Sequence, residues 1–227
     1  MNTVPWYQDP QWWAIIAALL LGVLGIFQDW IRSLFKKPRL KVSFTLNPPE
    51  SHKIPFSNQK TGQKLYDSYY FRIKIANSGK YKMEDVEVMA VELFKKADNG
   101  NYKKAENFLP LNLLWSHYQI ITMPNIQPGL FKHLALGHII ESKNAELEKF
   151  GLISLSDAVL LLDTAIRPNS GTHVLLPGDY NIKLKITANN LKVQSKIFNI
   201  VFDGHWEEEI DDMFSRRVSI KEVKSIN

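Results

Sequence analysis

Cysteine is entirely absent from the 227 residues. Its absence excludes disulfide staples, thiolate zinc sites and cysteine nucleophiles together. It suits a reducing compartment without requiring one. Basic residues are missing from the start of the chain, where residues 1–11 hold no Lys or Arg and a single acid, Asp9. A cleaved signal peptide needs a basic start and a small-residue cut site, and no A-x-A site follows. Sequence signatures of catalysis are missing too. There is no P-loop, dinucleotide glycine pattern, nucleophile elbow or paired His/Ser constellation. No reaction is therefore indicated, and the expectation is a non-enzymatic protein without a cofactor.

Charge is also missing from Trp12 to Phe27, in the stretch WWAIIAALLLGVLGIF. Extended to Ile31, the run reaches the ~20 residues of a spanning helix. Trp6, Tyr7, Trp12 and Trp13 crowd one end and Trp30 the other, as interfacial aromatic belts do. Without signal-peptide features the helix is expected to stay, and its length argues against a buried core helix. Arg32, Lys36, Lys37, Arg39 and Lys41 follow it as candidate membrane-surface contacts. Positive charge is retained on the cytoplasmic side. The expected topology is a single pass through the cell inner membrane, N-terminus outside and the large domain cytoplasmic.

At about 100° per residue, Ala14, Ala18, Gly22 and Gly25 share one stripe of that helix, which continues to Asp29 and Arg32. Small residues at this spacing let helices approach closely in lipid, so one reading is a homo-oligomer with a polar ring at its mouth. The plainer reading is that small residues are common in membrane helices and that Asp29 is solvated. Ile31, Leu34 and Phe35 continue along the interface until Pro38 breaks the helix.

Hydrophobic residues make up 45% of the chain and charged residues 22%, enough for a packed core. Beyond Pro38 the apolar period becomes two. Leu40–Leu46, Tyr69–Ile75, Val86–Leu93, Asn107–Trp115, Leu130–Ile140, Ile153–Ile166, Tyr180–Ala188 and Leu191–Phe202 read as strands. Asp98-Asn99-Gly100 reads as a hairpin turn, residues 47–64 as a polar proline-bearing loop, and Asn144–Phe150 as one short helix. In residues 204–227, Trp206, Ile210, Met213 and Phe214 recur at helical spacing. Glu207–Glu209 lie early and Arg216 and Arg217 late, which complements a helix dipole. The expected fold class is all-β, a β-sandwich with one N-terminal transmembrane helix and a C-terminal amphipathic helix. Its expected divisions are a tail (1–11), the transmembrane helix (12–31), a basic linker (32–38), the sandwich (39–203) and the C-terminal helix and tail (204–227).

Three stretches, YYFRIKIANSGKYKMEDVEV, NIQPGLFKHLALGHI and LLPGDYNIKLKITANN, resemble the successive signatures of bacterial immunoglobulin-like sandwich modules of the CARDB type. The resemblance covers about residues 66–202 and implies an immunoglobulin-like fold with a binding or adhesive role and no catalytic residues. It implies turn geometry at Gly79, Gly129 and Gly178 and a Tyr180 hydroxyl bonded back across a corner. Such modules usually sit outside the cell, whereas the flanking charges here point inward.

Binding chemistry is sought first among the bases, because residues 36–104 hold 15 Lys and Arg against 7 Asp and Glu. Lys80, Tyr81 and Lys82 flank one expected turn; Lys95, Lys96, Tyr102, Lys103 and Lys104 flank another. They read either as solvated loop tips or as an anionic pocket for a nucleotide or oligonucleotide, with Tyr81 or Tyr102 stacking on a base. His133 and His138, five apart on one strand, should face opposite sides and share no metal. His52, His117, His173 and His205 read as isolated loop residues, and Asp163, Asp179 and Asp203 as turn or strand-end residues. Glu207–Glu209, Asp211 and Asp212 could hold a cation or simply form a wet helix face.

Two functions follow. The first is a membrane-anchored module whose sandwich binds a partner or anionic ligand and whose helix self-associates. The alternative is an oligomeric effector of an anti-phage defence system, gated by a nucleotide messenger and acting by forming pores or disrupting the bilayer.

Overall fold

The computed structural model describes residues 10–35, 37–58, 60–153 and 155–226, with side chains excepted over 29–35. The chain forms two compact units that divide between Lys37 and Pro38. The first is a helix, α1 (Pro10–Phe35). Pro10 opens it at the position where a missing N–H costs nothing. None of the 19 residues of its apolar window, Pro10–Gln28, is buried. At 1.5 Å per residue this window is about 28 Å long. It is long and apolar enough to cross a membrane.

The second unit is built from antiparallel strands. In chain order they are β1 (Leu40–Ser43), β2 (Ser51–Ser57), β3 (Lys64–Asn77), β4 (Met83–Lys96), β5 (Tyr102–Lys104), β6 (Leu111–Asn112), β7 (Met123–Ile126), β8 (Phe131–Glu141), β9 (Ala158–Leu162), β10 (Val174–Leu175), β11 (Gly178–Ala188), β12 (Leu191–Phe202) and β13 (Val218–Val223). One sheet runs β1-β3-β8-β9-β10, with β2 also paired to β3. The other runs β13-β12-β11-β4, and β5, β6 and β7 pair with β4 in turn.

The two inner faces share one apolar core. Tyr69, Phe71, Ile73 and Ile75 of β3 alternate inward, as do Val86, Val88 and Ala90 of β4, Ile182, Leu184 and Ile186 of β11, and Phe198, Ile200 and Phe202 of β12. Each full burial of such a side chain contributes about 1.5–3 kcal/mol. Two links close the sandwich-like body. The stretch after β6 leaves the second sheet, and its Leu113 and Trp115 bridge Thr164, two residues past β9, and Leu134 of β8. Trp115 is fully buried, and its indole N–H donates to the Ile121 carbonyl at 3.0 Å. Asn77 organises the β3–β4 turn: its Nδ2 donates to the Tyr81 and Ile126 carbonyls (2.7 and 2.9 Å), and its Oδ1 accepts from the Gly79 amide (3.0 Å).

Several expectations hold in part. Gly129 has φ +75°, the conformation glycine is needed for. Gly79 and Gly178 do not take a positive φ, and a Cβ at Gly178 would lie 3.0 Å from the Tyr180 ring. The Tyr180 hydroxyl donates to the Leu176 carbonyl at 2.9 Å, bonding back across the corner.

Others are corrected. Residues 47–64 contain an edge strand, β2, whose Pro55 is tolerated because only one side of the strand is paired. The Asn144–Phe150 helix is instead two 3-10 turns, Ser142–Asn144 and Leu147–Phe150. The strand over 153–166 shrinks to β9, leaving Ile153 and Leu155 exposed. The strand over 107–115 shrinks to β6 and its two bridges. The C-terminal helix is one α-turn (Ile210–Asp212) and one π-turn (Met213–Arg217). Trp206, Ile210, Met213 and Phe214 do pack on the core. The chain then turns to strand because Val218 and Ile220, two apart, are buried where β13 pairs with β12. Residues 204–226 therefore belong to the β body.

Candidate functional site

Along β3 the outer face of the six-stranded sheet carries mostly polar side chains, while Ile140, Val159, Leu161 and Val174 of β8–β10 form a second, smaller apolar cluster. On β3, Tyr66, Ser68, Tyr70, Arg72 and Lys74 point away from the core by simple alternation. Their partners on β8 would fall out of phase, but Leu136 is an extra residue between the pairs Phe71–Gly137 and Arg72–Ala135. This bulge puts His133, opposite Lys74, and His138, opposite Tyr70, on the same face. The expectation that they oppose one another is therefore wrong, because a period-two count misses the bulge. They still serve separate clusters.

Around His138 lies a groove. One part, of about 390 Å³, is lined by Phe56, Ser68, Tyr70, Gln119, His138, Asp163 and Arg167 among others. An adjoining part, of about 260 Å³, shares Phe56, His138 and Arg167 and adds Tyr66, Glu146, Phe150 and His173. His138 Nδ1 lies 2.8 Å from Asp163 Oδ1, which fixes the ring orientation. Tyr70 stacks on His138 with ring centroids 6.0 Å apart. Burial and the nearby Asp163 carboxylate push the Tyr70 hydroxyl pKa up, so it stays a donor. The Phe56 and Tyr66 rings stack at 5.0 Å on the rim. His173 is buried against the edge of Phe150. Burial first, then the Arg167 charge, push its pKa down to about 4.

Ser68 Oγ and Asp163 Oδ2 are buried in the groove lining with no hydrogen-bond partner among the described residues. An unpaired buried polar atom costs about 1–3 kcal/mol. Arg167 is exposed at the rim and has no salt bridge to a described carboxylate. The groove thus combines one cation, Arg167, with two carboxylates, Asp163 and Glu146, a hydroxyl and flat aromatic faces.

The second cluster lies further along the same face. Arg72, 8% exposed, lies 2.9 Å from His117 Nε2 and 3.2 Å from His52 Nδ1, and it donates to the Pro49 carbonyl. His133 Nε2 is 3.6 Å from Glu50 Oε1. Burial, then the Arg72 charge, lower the pKa of both His52 and His133. His117 takes φ +69° to reach the guanidinium. No group of three His, Asp or Glu suited to a metal occurs among the described residues.

The lysine and tyrosine residues expected to form a pocket are separated. Lys80, Tyr81 and Lys82 lie at the start of β4. Lys95 and Lys96 lie at its end, beside Tyr102, Lys103 and Lys104 of β5. Fourteen residues of strand hold the two groups roughly 40 Å apart. Several are already paired: Lys82 with Glu84 at 2.9 Å, Lys96 with Asp179 at 3.2 Å, and Lys104 with Glu92 at 2.6 Å. The Lys104 and Lys183 ammonium groups hold the Glu92 carboxyl down to about 2. The Tyr102 hydroxyl donates to Asp179 Oδ1 at 2.6 Å, and burial, then Asp179, push it up to about 12. Lys95 lies over the Tyr180 ring.

Of the other expected residues, Ala14, Ala18, Gly22 and Gly25 sit on α1, and a Cβ at Gly22 or Gly25 would meet nothing within 4 Å. Arg39 and Lys41 are exposed at the start of the β body, and Lys37 is exposed before it. Lys36 and the side chains of Asp29 and Arg32 lie outside the described residues, as do the Trp6 and Tyr7 of the expected aromatic belt.

Ser68, Tyr70 and Arg167 went unmarked in the sequence, and Asp163 reads there as a turn residue. A signal was present in the polar alternation of residues 66–74, although a solvated face gives the same pattern. A comparison with protein-family models returns no match for this chain, and neither does a comparison with curated proteins.

Proposed function

We propose that the chain is a non-enzymatic, single-pass membrane protein whose β body is an immunoglobulin-like binding module for an organic anion of the nucleotide class. The observation that carries this reading is the groove, where, among the described residues, buried Ser68 Oγ and Asp163 Oδ2 lack hydrogen-bond partners and the exposed Arg167 has no salt bridge. A nucleotide supplies N–H and O–H donors for the acceptor, phosphate for the guanidinium and a π-face for the aromatic rim. The Tyr180 corner bond is what favours the immunoglobulin-like assignment. The α1 helix is the anchor in the inner membrane, and the bases after it hold the body on the cytoplasmic side.

Calorimetry of the detergent-solubilised full chain with mono-, cyclic and short oligonucleotides tests the reading. Saturable binding is expected, weakened at least tenfold by Arg167→Glu and unchanged by Lys103→Glu. Absence of binding across the panel, or loss with Lys103→Glu in place of Arg167→Glu, would overturn the groove assignment.

A second reading has support from α1. Its small residues leave a shallow groove lined by Ile15, Ala18, Leu19, Gly22, Val23 and Ile26, shaped to receive a neighbouring helix. On this reading the chain is a homo-oligomeric effector of phage defence, and ligand capture drives membrane disruption. Dye leakage on ligand addition, abolished by Gly22→Leu, is its expected signature. Intact vesicles at saturating ligand would contradict it.

A further inference from the structure

The groove does not account for the end of the β body at which the chain enters it. Arg39 is pinned there, since its amide donates to Asn77 Oδ1 at 3.3 Å and its carbonyl accepts from the Ser78 amide at 2.8 Å. The Asn77 amide donates to the Leu130 carbonyl (3.0 Å), its carbonyl accepts from the Gly129 amide (2.8 Å), and its Nδ2 donates to the Tyr81 carbonyl. One asparagine thereby joins the entry segment, the β3–β4 turn and the β7–β8 turn into a single rim.

That rim presents apolar and aromatic side chains to solvent, with Tyr81 39%, Leu130 55% and Phe131 46% exposed. Between them stand cations. Arg39, Lys41 and Lys80 are exposed and have no carboxylate partner among the described residues. The Lys74 ammonium lies 4.0 Å from the centre of the Phe131 ring. Of the nearby acids, Glu84 is paired with Lys82 and Asp85 accepts from Asn189. Amphipathic aromatics with unpaired Lys and Arg are the chemistry of a headgroup layer. There each base is drawn toward an anionic leaflet.

Covalent continuity selects the occupant. Arg39 follows Phe35, the last residue of α1, by four residues, and four residues of chain reach at most about 14 Å. We propose that this rim docks on the anionic headgroup surface of the membrane that α1 spans. The bases seat among phosphates, and Leu130, Phe131 and Tyr81 dip into the interface. This inference rests on α1 being a membrane anchor and is independent of what the groove binds.

The absence of cysteine makes the test direct, because single cysteines can be introduced and spin-labelled in the full chain. Leu130→Cys reports the rim, Asn99→Cys the turn at the opposite end of β4, and Leu20→Cys the helix; all three positions are exposed. Collision rates with oxygen and with an aqueous nickel complex are then read in nanodiscs of phosphatidylcholine, with and without phosphatidylglycerol. The label at 130 is expected to lose nickel collisions and gain oxygen collisions in the anionic discs only, and to revert to aqueous values with Lys41→Glu plus Lys80→Glu. The label at 99 should stay aqueous throughout. If the label at 20 lies in lipid while that at 130 stays as aqueous as that at 99, the docking is wrong and the anchor stands. Equal immersion in both lipids would overturn the electrostatic docking. An aqueous label at 20 would overturn the anchor and this inference together.

Discussion

His173 shows at the scale of one residue how burial decides chemistry. In sequence it is one of several scattered histidines; in the fold it is buried against Phe150, with Nδ1 unpartnered among the described residues. Its pKa falls from 6.5 to about 4. The unfolded chain therefore binds a proton that the folded chain refuses, and stability falls as pH drops from 6.5 toward 4. The full shift corresponds to at most about 3 kcal/mol. His52 and His133 shift in the same direction. Urea unfolding between pH 7 and 4 should show this slope, reduced in His173→Gln. An unchanged slope in that variant would remove His173 from the account. None of this was legible beforehand, because the shift depends on neighbours distant in the chain.

At the scale of elements, alternation made most long strands readable. Tyr69, Phe71, Ile73 and Ile75 announce β3, and Asp98-Asn99-Gly100 announces the β4–β5 turn. What alternation cannot register is a slipped residue. The β8 bulge turns on Leu136 and Gly137, and a Cβ at Gly137 would lie 2.4 Å from the Leu161 carbonyl oxygen. Backbone cannot yield there cheaply, so Gly137→Ala is expected to cost about 1–3 kcal/mol or more, read as a lower denaturation midpoint. Since His138 follows directly, the same variant should also weaken ligand binding at the groove. A wild-type midpoint would mean that the bulge tolerates a methyl group. The C-terminal segment misleads differently. Its first half has true helical spacing, whereas Val218 and Ile220 obey the strand period and pair with β12. Ile220→Ala should cost about 2–4 kcal/mol, which a chain whose C-terminus merely lay on the surface would not show.

For the molecule as a whole, the division into an apolar helix and a β body was the most legible feature. Composition changes abruptly at Pro38, where the two compact units part. The binding site was the least legible. The sequence gathers Lys80–Lys82 and Lys95–Lys104 by proximity in number, and a long strand then carries them apart. The groove is assembled from β2, β3 and β8 together with residues 114–119, 144–150 and 161–173, and no local pattern announces that meeting.

The membrane part of the account, anchor and rim docking alike, depends on α1 being held in lipid. Alkaline carbonate extraction of membranes from cells expressing the full chain tests that dependence most directly. The chain is expected in the membrane pellet, and in the soluble fraction once Leu20→Lys and Val23→Lys break the apolar window. Recovery of the unaltered chain in the carbonate supernatant would contradict the anchor and the functional reading built on it.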